Sequence, residues 1–135
     1  MNKLLIVIFS LYSALVIGDD VDCTNPVTTF EVNYCAALKL EKLDVTMNEY
    51  LAKSKEHNSY DSELIDKIDL AQKSWVEYSE AHCLSIYTMW KEGTIRGWMH
   101  FDCMSRATKQ RTHQLWDSFL TYMDGSPPVL PEPNL

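Results

Sequence analysis

The side chains best suited to covalent chemistry are four cysteines, Cys23, Cys35, Cys83 and Cys103, separated by 12, 48 and 20 residues. That spacing holds no CxxC, no CxxCH and no finger-type repeat, so it does not describe a zinc, haem or thioredoxin-like site. In a short chain bound for an oxidising compartment, an even number of cysteines describes disulfides instead. Two pairings stay open: Cys23 with Cys35 and Cys83 with Cys103, or the crossed set Cys23 with Cys103 and Cys35 with Cys83. The first is preferred, because each bridge then closes a short loop around a segment with little else to hold it.

The histidines His57, His82, His100 and His113 are scattered, with no HxxxH or HExxH spacing, so no metal is expected. No GxSxG elbow or phosphate loop occurs, and nothing sets two carboxylates into a cleft, so neither catalysis nor a cofactor is expected. Arg111 stands out because an always-charged guanidinium falls on an apolar stripe. Its expected role is a buried pair with a carboxylate such as Glu31, Asp44 or Glu80 that fixes helix register.

The elements that must position these residues are helices. Leu64, Ile68, Ala71, Trp75, Tyr78 and His82 recur at steps of three and four, the spacing of one helix face, and make Trp75, Tyr78 and His82 expected core residues. Thr28 and Glu31 read as a capping box, opening a first helix that runs to about Lys55. On its outer face Glu49 and Lys53 have the spacing of an exposed ion pair. A break at His57 to Tyr60 precedes a second helix from about Ser62 to Trp90. Gly93 and Gly97 bracket a turn, and a third helix follows from about Trp98 to Met123, with Phe101, Met104, Thr108, Arg111, Leu115, Phe119 and Tyr122 on one face. Gly125 is placed to stop it in the left-handed conformation. The predicted fold is all-α: two long helices in an antiparallel hairpin with the third packed on it, in one domain over residues 19–125. The proline-rich segment 126–135 is expected to be a loosely held tail.

Lys3 followed by the apolar run Leu4 to Ile17 reads as a secretory leader over residues 1–18, cleaved after Gly18. The run is 14 residues, short of the roughly 20 that a membrane-spanning helix needs, so no stable anchor is expected after cleavage. Losing the leader removes Lys3 and takes the formal net charge from −7 to −8. So acidic a domain is a poor ligand for nucleic acid and a good one for a basic protein.

One family shares this order of residues. Thr28-x-x-Glu31-x-Asn33-x-Cys35-Ala36-Ala37, Leu43-Asp44 with Met47-Asn48-x-x-Leu51, Ala71-Gln72-Lys73-Ser74-Trp75-Val76-x-Tyr78 ending at Cys83, and Cys103-x-x-x-x-Thr108-x-x-Arg111-Thr112-x-x-Leu115 resemble the LprI-type lysozyme inhibitor family. The resemblance covers Cys23 to about Leu120. It departs at Ser79, where the family pattern often has Arg, and in the turn Gly93-Thr94-Ile95-Arg96-Gly97, where it often has a Gly-Ser-rich turn. Both departures are expected on the surface. The resemblance implies an exported, periplasmic or secreted helical protein that binds a protein partner such as a basic lysozyme-type hydrolase. The turn from Lys91 to His100, with Ile95, Arg96, Trp98 and His100, is the expected contact. An envelope adaptor or immunity-like protein without lysozyme activity is the alternative.

Overall fold

The computed structural model describes residues 21–135, so the leader and its cleavage site lie outside the described residues. Helix α1 spans Thr29–His57, α2 Ser62–Met89 and α3 Arg96–Phe119. The capping box forms as read: the Thr28 hydroxyl accepts the Glu31 amide, and the Glu31 carboxylate accepts the Thr28 amide at 2.8 Å. Asp61 caps α2 by accepting the Leu64 amide at 3.1 Å. Among the described residues no strand occurs, and the chain is the all-α three-helix bundle that its periodicity predicts.

The packing is centred differently from the expected hairpin. α3 is the helix on which both others lie, while α1 and α2 meet lightly, with a Lys55–Asp69 ion pair at 2.7 Å and a Gln72–Met47 contact at 3.8 Å between them. Lys53 pairs with Glu56 at 3.0 Å rather than with Glu49. The apolar core gathers Met47 and Tyr50 of α1 with Leu115 of α3 and Leu120 just beyond it. Between these lie buried hydroxyls. Ser54 donates to the Tyr50 carbonyl and Thr112 to the Thr108 carbonyl, both at 2.8 Å, so each is satisfied within its own helix and leaves a small surface for close approach. Asn58, capping the end of α1, donates to the carbonyls of Ser54 and Phe119 and ties that end to α3.

The inward face of α2 is rotated from the expected stripe. Ile68, Ser79 and Cys83 are buried and Trp75 is half-buried, whereas Ala71, Tyr78 and His82 are exposed, Tyr78 by 66%. Tyr78 and His82 are therefore not core residues; they stack on each other outside, centroids 5.8 Å apart. The cause is the Cys83–Cys103 bridge, which obliges Cys83 to face α3, with Ser79 one turn earlier where only a small side chain fits. Ser79, expected on the surface, is buried at 1%.

The segment after α3 corrects a second expectation. α3 ends at Phe119, earlier than Met123, and Gly125 takes its positive φ of 78° in a separate turn. The chain then runs back as a strap. Val129 donates to the Leu120 carbonyl at 2.8 Å, Trp116 Nε1 donates to the Leu130 carbonyl at 3.0 Å, and the Tyr50 hydroxyl donates to the Pro131 carbonyl at 2.8 Å. Val129 and Leu130 pack on the core. A proline-rich segment has no hydrogen bonds of its own to give up, so its carbonyls are free to take donors from the bundle.

Candidate functional site

The sequential disulfides form, Cys23–Cys35 and Cys83–Cys103, and all four sulfurs sit at the end of the bundle that carries the α2–α3 turn. That turn is built by Gly93 donating to the Trp90 carbonyl at 2.8 Å and Arg96 to the Gly93 carbonyl at 3.4 Å. Ile95 precedes α3 without a side-chain cap and is 44% exposed. The Arg96 guanidinium lies over the Tyr87 ring, 5.0 Å from its centroid, and donates to the Lys91 carbonyl.

Trp98 points the other way. It is 39% exposed and lines a groove of about 360 Å³ with the Cys23–Cys35 bridge, Pro26, Val32, Lys39 and Asp102. Asp102 is paired with Arg106 at 3.1 Å. His100 turns inward, its Nδ1 3.2 Å from the Cys83 carbonyl, a contact in which the ring nitrogen must donate because a carbonyl only accepts. Of the four expected contact residues, Ile95, Arg96 and Trp98 are thus placed at the tip, while His100 braces the turn against α2.

Gly97 brings α3 onto α1. The position a Cβ would take there lies 2.7 Å from Asn33 Oδ1 and 3.1 Å from its Cγ, and the Asn33 oxygen is buried without a hydrogen-bond partner. Gly97→Ala is expected to cost about 1 kcal/mol, because the whole Asn33 amide must move. In an Asn33→Ala background the same change should stabilise by roughly 0.5–1 kcal/mol, the gain from replacing a helical glycine. Thermal melts of the four proteins measure this; equal shifts in both backgrounds would mean that the two residues do not collide.

Arg111 has no carboxylate partner within ion-pair distance among the described residues, contrary to expectation. Its Nε donates to Gln72 Oε1 at 2.9 Å, its Nη2 is buried without a partner, and burial pulls its pKa below the ordinary value. Asp44 instead accepts a 3.1 Å bond from Thr108. The register of α3 is therefore set by two contacts that are not ion pairs, Arg111 with Gln72 of α2 and Thr108 with Asp44 of α1. Among the described residues no three His, Cys, Asp or Glu side chains gather to hold a metal, and no helix is long and apolar enough to cross a membrane.

A family model described as lysozyme inhibitor LprI matches residues 22–115. The chain belongs to the LprI lysozyme inhibitor family. No curated protein and no solved structure matches it. The LprI match takes in both disulfides, the 91–100 turn and the Arg111–Gln72 contact, and it ends at Leu115, so the strap lies beyond it. Family membership and two disulfides fit an exported protein of an inhibitor family rather than an enzyme family. What the helical periodicity did not supply is Gln72 as the partner of Arg111 and Thr108 as the partner of Asp44. The signal was present in the LprI pattern, which contains all four.

Proposed function

We propose that this LprI domain is exported and binds a lysozyme-type cell-wall hydrolase, blocking it rather than performing chemistry of its own. The observation that carries this reading is the family match over residues 22–115. The charge supports it: a domain with formal net charge −7 before leader loss attracts a basic hydrolase and steers its approach. The 91–100 turn is the contact. Ile95 and Trp98 offer exposed apolar surface at a tip held by Cys83–Cys103 below and by Arg96 on Tyr87 beside it, so little ordering remains to be done on binding.

Adding the mature protein in stoichiometric excess to a basic lysozyme is expected to slow lysis of a cell-wall substrate, with inhibition weakening as salt rises. Ile95→Ser should weaken inhibition about tenfold by removing an apolar side chain from the contact at unchanged charge. Ser is also a better N-cap residue than Ile, so the variant keeps its fold. Unimpaired lysis at every salt concentration would remove the inhibitor reading, and a specific non-hydrolase partner recovered from the envelope would then favour the adaptor role.

A further inference from the structure

On the flank of α1 opposite the Trp98 groove, the three helices leave a second cleft of about 350 Å³. Met47, Trp75 and Met104 supply its apolar walls, Gln72 its polar side, and Asp44 and Glu80 its charge. These residues come from all three helices, and four of them (Asp44, Met47, Gln72 and Trp75) stand in the pattern that marks the family.

Asp44 is the unusual member. It accepts one hydrogen bond, from Thr108, and among the described residues no lysine, arginine or histidine lies within ion-pair distance of it. Desolvation holds its carboxyl above the ordinary range, and Arg111, whose Nε donates to Gln72 of the same cleft while its Nη2 stays buried without a partner, makes no ion pair with it. Glu80 adds a second negative charge and no compensation. A half-buried carboxylate left without a cation is destabilising to the domain by itself. A cation arriving from outside would relieve that, provided it brought an apolar stem to cover Trp75 and the methionines.

We propose that this cleft receives an arginine side chain of a protein partner, the guanidinium on Asp44 and the stem against Trp75, Met47 and Met104. Guanidinium suits the site better than a hydrated metal ion. It pairs with a carboxylate through directed N–H groups, stacks on an indole face, and sheds water readily. The two thioethers adapt to whatever stem enters. This does not require the partner to be a lysozyme.

The test uses N-acetyl-arginine amide as ligand, N-acetyl-citrulline amide as its uncharged twin, and the Trp75 indole N–H resonance, assigned with Trp75→Phe, as the reporter. The arginine derivative is expected to shift that resonance saturably with a midpoint on the order of millimolar, as befits a single side chain. Citrulline should produce no saturable shift, and Asp44→Asn should weaken the arginine response about fivefold or more. Asn keeps the acceptor for Thr108, so the variant should melt no lower than the parent. The absence of a saturable shift, an equal response to citrulline, or an unchanged titration in Asp44→Asn would each overturn the proposal, whatever the lysozyme assay shows.

Discussion

Ending the chain at Gly125 is expected to destabilise the domain by about 3 kcal/mol, a fall in melting temperature of roughly 10 °C for a domain of this size. The deletion removes three hydrogen bonds that the strap makes to the bundle, from Tyr50, Trp116 and the Val129 amide. It also removes Val129 and Leu130 from the buried cluster of Met47, Tyr50, Leu115 and Leu120 against which they pack. At about 1 kcal/mol per lost hydrogen bond and a similar amount for each half-buried aliphatic side chain, the gross loss exceeds the final figure. The difference is backbone freedom regained by the strap, and that is small, because four of its ten residues are proline and have few conformations to regain. The ion pair of His113 with Glu132 is left out of account, since both partners are exposed. Calorimetry on the truncated protein checks the stability, and a red shift of tryptophan emission checks that Trp116 has lost its cover. Tyr50→Phe, which removes a single donor, should cost only about 1 kcal/mol. A truncated domain that melts with the intact one would show the strap to be passive.

The strap also shows where reading the sequence stops. Prolines at 127, 128, 131 and 133 say that the segment is extended and cannot be helical, and that much is local chemistry. Whether such a segment floats or docks depends on donors elsewhere in the chain, here Tyr50 and Trp116, which lie 81 and 14 residues from their acceptors. The helices, the capping box and the disulfide loops were legible for the same reason inverted: each is settled by residues within a few turns of one another. The phase of α2 was not. A hydrophobicity pattern counts Tyr78 as inward and Ser79 as outward, yet close approach of α3 requires a side chain that is small, and Ser79 meets that requirement by returning its hydroxyl to the Val76 carbonyl. Thr108 and Thr112 on α3 are buried on the same terms. The partner of Arg111 escaped for a related reason, since charge alone suggests a carboxylate, while the structure offers Gln72 from the rotated face of α2. Of the candidate contact, the tip at Ile95, Arg96 and Trp98 was placed by two glycines; the inward turn of His100 depended on the rotated end of α2 and could not be.

Removing the Cys83–Cys103 bridge by a double change to alanine is expected to cost about 3 kcal/mol, and to cost more than removing Cys23–Cys35. Loop entropy alone separates the two by only about 0.5 kcal/mol, since the closed loops are 20 and 12 residues long. Location decides the larger difference. Cys83 and Cys103 are buried at 0% and 4% and lock α2 to α3 beneath the turn, so losing their bond frees both helix ends and the tip with them. Cys23 joins an arm whose residues from Asp22 to Asn25 are exposed, and that arm can lift away from α1 with the three-helix core intact. The outcome for the first variant is a melting point lower by roughly 10 °C, and for the second a shift of only a few degrees with local loss of protection around residues 23–35 by hydrogen exchange. The proposed inhibition of lysozyme should fall further in the first variant, even below its melting transition, because the proposed contact at Ile95 and Trp98 would no longer be held in one arrangement. Equal melting shifts in the two variants would mean that loop length, and not the anchoring of the α2–α3 turn, governs what these disulfides contribute.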